Sequence, residues 1–163
     1  MKIRRAEVVV DAAALVCALD HHDPAHTSML SELVALLERM RAGEVILVSH
    51  SAAATAANVE LRGRGYGPSA YDRVHAVVSA LDVETLHRDL LDDAEAVRRA
   101  AADLGVELTP LQAITVEIAR RRGTTTVLST DAVYTALGLT LLPAGGGEAS
   151  PLADRLANYS NPA

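Results

Sequence analysis

The sequence predicts an α/β protein, a three-layer α/β/α sandwich around a mostly parallel sheet of four to five strands. Short apolar runs rich in β-branched residues, AEVVVD (6–11) and VILVSH (45–50), read as strands buried on both faces. Each is followed by a stretch of helix formers, and the alternation recurs along the chain. Strands separated by helices need crossover connections, so they pair in parallel with helices on both faces. Composition agrees: half of the residues are hydrophobic, yet Phe and Trp are absent and Tyr occurs four times. A core of Leu, Val, Ile and much Ala favours closely packed helices.

After the first strand, AAALVCALDHH (12–22) is a helix stopped by the DP at 23–24. HTSMLSELVALLERMRAGE (26–44) places Met29, Leu30, Leu33, Leu36, Leu37 and Met40 on one side, with Gly43 just past its end. The second strand leads to Ser51, a cap for the helix AAATAANVELR (52–62), and then the turn GRGYGP. SAYDRVHAVVSA (69–80) reads as helix, LDVETLH (81–87) as strand, and DLLDDAEAVRRAAADLG (89–105) as a helix with acids first and arginines later. TPLQAITVEIARRRG (109–123) is a helix opened by a T-x-x-Q capping box with Pro110 at its first position. TTTVLS (124–129) is a strand, TDAVYTAL (130–137) a short helix and LTLLP (139–143) the last strand. Residues 1–143 form one expected domain, and 144–163 a linker followed by a short helix or tail.

The 163 residues suffice to bury roughly two thirds of the surface the unfolded chain exposes. A single cysteine, Cys17, excludes an internal disulfide or a cysteine metal cluster, and its apolar helical setting reads as an inert buried thiol. A formal charge of −6 has the wrong sign for a general nucleic-acid coat, although a local basic strip can still hold a phosphate backbone. No apolar run is long enough for a membrane span, and the basic start MKIRRAEVVVD halts at Asp11 without a cleavage-like site. A cytoplasmic location without membrane association is the expectation.

In open parallel sheets ligands bind beyond the carboxyl ends of the strands. Asp11 ends the first strand there and Asp131 follows the fourth by two residues, so a hard cation such as Mg²⁺ fits between them. Taken singly, each acid also suits the cap of the helix after it.

VVVDAAALVCALDHHDPAH resembles the opening of PIN-domain proteins, especially the VapC-type toxins of bacterial toxin–antitoxin pairs. ARRRGTTTVLSTDAVYTALGLTLLP resembles their C-terminal part, and the likeness runs over about residues 6–143. The resemblance implies four acids binding one or two Mg²⁺ or Mn²⁺ ions to cut the RNA backbone, an antitoxin protein as partner, and a homodimer. Asp11 and Asp131 match the first and last acids and are the expected metal ligands. The other two positions depart from the pattern: Asn58 stands where the second acid aligns, and Gln112 where the third does.

Glu60 lies close to Asn58 but about 200° around a helix, so the two do not share the cleft unless the helix kinks. Asn and Gln still offer a carbonyl oxygen, yet each lacks a full charge, worth about 4 kcal/mol against a unit charge at about 4 Å and an effective dielectric near 20. A weak, single-ion ribonuclease is therefore expected, with Asp11, Asp131, Asn58, Gln112 and Glu60 as its catalytic set. The alternative is an inactive PIN-like protein that binds RNA or an antitoxin-like partner.

His50, at the end of the second strand, is a candidate acid or base, or an ordinary hydrogen-bonded histidine. DHHDPAH (20–26) fits no standard zinc spacing. ARRRG (119–123) and LRGRGYG (61–67) are the basic clusters able to meet phosphates, and Ser129 and Thr130 could bond a phosphate oxygen or cap the short helix.

Overall fold

A computed structural model of the chain describes residues 5–144. The element order is β1 (Ala6–Val10), α1 (Ala12–Leu19), α2 (His26–Arg41), β2 (Val45–His50), α3 (Ser51–Gly63), α4 (Pro68–Ser79) and β3 (Asp82–Glu84). There follow α5 (Arg88–Asp103), α6 (Pro110–Arg122), β4 (Thr126–Leu128), α7 (Val133–Ala136) and β5 (Thr140–Leu142). The five strands form one sheet in the order β3-β2-β1-β4-β5, and every pairing is parallel. The expected α/β class holds.

β1 lies at the centre because its residues bury on both faces: Val8, Val9 and Val10 are all fully buried. Val8 and Val10 pack with Leu15, Met29, Leu33, Leu36, Leu61 and Val74 from α1 to α4. Val9 and Val48 point the other way, onto Leu90, Ile114, Ile118 and Tyr134 from α5, α6 and α7. Helices thus cover both faces, as a parallel sheet requires.

The chain runs outward from β1 to β2 and β3, then returns through α5 and α6 to lay β4 on the other side of β1. That reversal makes the gap between the carboxyl ends of β1 and β4 the topological switch point, where open sheets of this class bind ligands. The Asp11 amide donates to the Leu128 carbonyl at 3.3 Å and pins the two strand ends together.

Several elements have other bounds than the sequence suggests. α1 closes at Leu19 because Asp20 turns extended and its amide completes the last turn on Val16. α3 begins at Ser51 itself, with extended His50 at the cap position, where its side chain caps nothing. β4 has only three residues: Thr124 turns its hydroxyl onto the Glu7 carbonyl and Ser129 sends its amide to Leu142. The linker and tail expected after 144 lie outside the described residues. Among the described residues no helix is long and apolar enough to cross a membrane.

α6 carries the predicted capping box. Thr109 Oγ1 accepts from the Gln112 amide at 3.2 Å, while Gln112 Oε1 accepts from the Thr109 amide at 2.8 Å. Gly123, at φ 65°, ends the helix in the left-handed conformation that favours glycine. Removing the cap hydroxyl with Thr109→Ala costs about 1 kcal/mol in urea unfolding, whereas Thr109→Ser stays within a few tenths.

Candidate functional site

The site is built around a buried carboxylate. Asp11 is 4% exposed and serves as the N-cap of α1, its Oδ1 accepting from the Ala14 amide at 2.9 Å. Its Oδ2 accepts from the Ser129 hydroxyl at 2.6 Å and the Tyr134 hydroxyl at 3.0 Å. No cation pairs with it among the described residues. Burial pushes the Asp11 carboxyl up to about 6, against the pull of these hydrogen bonds and with the added repulsion of Asp131. Burial and the Asp11 charge likewise push the Tyr134 phenol up.

Ser129 joins the two acids. Its oxygen donates to Asp11 and accepts from the Asp131 amide at 3.0 Å, so the Asp131 backbone is hung on the group that solvates Asp11. Gln112 reaches Asp131 from α6, its Nε2 donating to Oδ2 at 2.9 Å. The amide orientation follows from the cap: the Thr109 amide demands an acceptor and takes Oε1, which leaves Nε2 for Asp131. Gln112 thus presents a donor here, and the carbonyl oxygen that the sequence offered to a cation is already engaged.

Two adjoining cavities open at this edge. The smaller, about 190 Å³, is lined by Asp11, His50, Gln112, Thr115, Asp131 and Tyr134, among others. His50 is 1% exposed, and its Nδ1 is buried without a hydrogen-bond partner among the described residues. Burial pushes its imidazole down to about 4, so it is neutral at pH 7. The larger cavity, about 350 Å³, shares Ala12, Ala13, Leu111 and Asp131 with the smaller and adds Asp23, Ala56, Glu60, Arg64 and Thr130.

Ala56 and Glu60 on α3 and Arg64 at its C-cap recur every four residues, so one face of that helix meets the cavity. Glu60 lines it and Asn58 lines neither cavity; the Asn58 Oδ1 is buried elsewhere without a partner among the described residues. Glu60 is bound to Arg64, Nε to Oε1 at 3.0 Å. Arg64 is fixed in turn by the buried Asp20, Nη1 to Oδ2 at 2.6 Å, and Asp20 also accepts from the Tyr66 hydroxyl at 2.7 Å. Those donors, Arg64 first, hold the Asp20 carboxyl down to about 2.

The ARRRG cluster is not brought to the site. Arg120 and Arg121 bind Glu117 and Asp93, and Arg122 binds Asp82 and Glu84 on β3, the edge strand two removed from β1. Of DHHDPAH, only Asp23 reaches a cavity wall, and among the described residues no three His, Cys, Asp or Glu converge as metal ligands. Tyr134 was not singled out in the sequence. Its signal was faint: a lone aromatic three residues after Asp131, in a chain otherwise nearly free of them.

The structure of VapC20 from Mycobacterium tuberculosis, a toxin that cleaves the sarcin–ricin loop, is similar to this one. Its TM-score is 0.63 at 17% identity, covering 82% of this chain and 96% of that one. The fold is that of the VapC PIN-domain toxins. VapBC2 from Rickettsia felis, bound to a promoter DNA fragment, matches at TM-score 0.62 and 11% identity over 83% of this chain and 96% of that one. FitAcB from Neisseria gonorrhoeae matches at 0.55 and 15% over 82% and 95%. No protein-family profile matches the chain. No curated protein matches it in sequence.

VapC-like folds generally use Mg²⁺ or Mn²⁺. The donor set here suits one such ion: Mg²⁺ typically takes one or two carboxylates and fills its remaining positions with water and phosphate oxygens, and Asp11 and Asp131 supply that pair. No further carboxylate joins Asp11 and Asp131 in the smaller cavity, where Gln112 faces Asp131 with its nitrogen, and Asp23 and Glu60 in the larger one are both engaged by Arg64.

Asp11 and His50 titrate against each other. The folded chain holds the Asp11 proton more firmly than the unfolded one, so the cost of its buried charge is present above about pH 6 and is relieved as pH falls toward 3.8. For His50 the unfolded chain protonates first, so stability is lost as pH falls from 6.5 toward about 4. Each effect reaches roughly 3 kcal/mol and the two oppose. In chelator-treated buffer Asp11→Asn therefore loses stability between pH 6.5 and 4.5, while His50→Gln gains it, read as urea midpoints; slopes of the same sign in both variants would refute these assignments.

Proposed function

We propose that this VapC-like chain is a divalent-cation-dependent ribonuclease that hydrolyses RNA phosphodiester bonds, attenuated by the exchange of two acids. The observation that carries the reading is the pair Asp11 and Asp131, two carboxylates side by side at the switch point, the first buried with no cation beside it among the described residues. Burying a bare carboxylate costs stability, and a fold that retains one next to another acid has a use for a positive ligand there. Asp11 and Asp131 hold the ion. Ser129 and Tyr134 keep the Asp11 carboxylate oriented, and Gln112 keeps Asp131 turned toward the cleft. When bound, the cation supplies Lewis-acid charge to the phosphate group. The larger cavity, with Thr130 and Arg64 on its wall, admits the sugar–phosphate chain beside Asp131.

A second reading rests on Gln112. Its N–H already gives Asp131 part of what a cation would give, which suits a non-catalytic fold that binds RNA or an antitoxin-like protein. The Rickettsia neighbour, solved as VapBC2, supports a protein partner of the antitoxin kind under either reading. Pairing of two copies belongs to the same proposal, and a monomer in solution scattering would count against it.

Calorimetric titration with Mn²⁺ separates the readings. The native chain binds one ion per chain, and Asp11→Asn or Asp131→Asn abolishes both that binding and the cleavage of a single-stranded oligoribonucleotide. Cleavage that survives Asp11→Asn, or an absence of binding at millimolar Mn²⁺, overturns the ribonuclease reading. Gln112→Glu provides a gain-of-function test. Glutamate keeps the capping box and replaces the amide donor with a second carboxylate oxygen beside Asp131, so Mn²⁺ affinity rises by about tenfold or more.

A further inference from the structure

We propose that His50 is a nitrogen donor to the cation held by Asp11 and Asp131, and that the site in consequence selects Mn²⁺ and other borderline transition ions over Mg²⁺. The inference rests on the cation site proposed above and adds a ligand of a different chemical kind to it.

Two groups around the 190 Å³ cavity lack a partner that the fold could have given them. The Asp11 carboxylate has three hydrogen bonds but no counter-charge, and the His50 Nδ1 has no partner among the described residues. The fold brings them together by register. Val9 pairs with Val48 across β1 and β2, so two residues further on Asp11 and His50 leave adjacent strands at the same level. Both keep the parity of Val9 and Val48, whose side chains lie on the α6 side of the sheet. Both line the cavity together with Asp131.

A buried polar atom left unsatisfied costs about 1–3 kcal/mol, so an orphaned imidazole nitrogen calls for an occupant. A water molecule would satisfy His50 and leave Asp11 without a counter-charge. One cation satisfies both, since a neutral imidazole nitrogen and a carboxylate oxygen are both ligands. Burial keeps His50 neutral at pH 7, and in the tautomer that carries its proton on Nε2 the Nδ1 lone pair is free to bind a cation. The set is not a ready-made cage: among the described residues no three such groups converge, and the imidazole joins when an ion is bound, in place of one water. Carboxylate and water suit Mg²⁺ and Mn²⁺ alike, whereas imidazole favours the transition ions.

The test uses the full chain loaded with Mn²⁺ and read by electron spin echo modulation, which detects a directly bound imidazole nitrogen without any turnover. The expected result is a ¹⁴N signal that changes on ¹⁵N-histidine labelling and is absent from His50→Gln and His50→Ala. Calorimetry gives the companion readout: the native chain binds Mn²⁺ about tenfold or more tightly than Mg²⁺, and either variant loses most of that preference while Mg²⁺ affinity moves little. If His50→Ala does not fold, the labelled native chain and His50→Gln still decide the matter. Mn²⁺ bound with no imidazole signal overturns the role of His50 and leaves the Asp11 and Asp131 site standing. No binding of either ion removes both proposals.

Discussion

A carboxylate buried without a positive partner is the constraint around which the carboxyl edge of this sheet is arranged. Asp11 follows the buried end of the central strand and is itself only 4% exposed, so the fold surrounds it with donors: the Ala14 amide, the Ser129 hydroxyl and the Tyr134 hydroxyl. Each donor comes from an element that must then be held in place. Ser129 ties the β4 loop to β1, and Tyr134, fully buried, fixes α7 against the same carboxylate. The position of Asp131 follows, because its amide hangs on the Ser129 oxygen that solvates Asp11. The cleft is therefore assembled from hydrogen bonds to one acid more than from any loop preference.

The same economy appears at α6. A single side chain, Gln112, closes the helix start through its oxygen and restrains Asp131 through its nitrogen. Helix termination and site geometry are thereby coupled: a change that loosens the cap also frees the amide facing the acid. Arg64 has a comparable double role, since the buried Asp20 that orders it also sets where Glu60 points along the larger cavity.

Much of this was legible in the sequence, and the pattern of what was not has a physical basis. β1 and β2 announced themselves because burial on both faces demands continuous apolar, β-branched residues, and the α6 capping box because its bonds lie within four residues. The meeting of Asp11 and Asp131 followed from a topological rule, since both end strands of a parallel sheet. What stayed hidden depends on contacts between distant segments. Spacing could not say which of Asn58 and Glu60 meets the cavity, because that is set by how α3 rolls against α1 and α4. Nor could it say that Gln112 turns its nitrogen to Asp131, that His50 is sealed from water, or that Tyr134 braces Asp11 across 123 residues. The arginines of ARRRG looked like phosphate contacts because sequence does not reveal Glu117, Asp82 and Glu84 waiting beside them.

The two outermost strands have a consequence for assembly. β3 and β5 are three residues each, β3 is followed within a few residues by α5, and β5 runs directly into Pro143, which has no amide hydrogen to give. A foreign strand laid along either margin would find too few free amides and carbonyls for a ladder. Among the described residues both margins of the sheet therefore disfavour its growth from one molecule into the next.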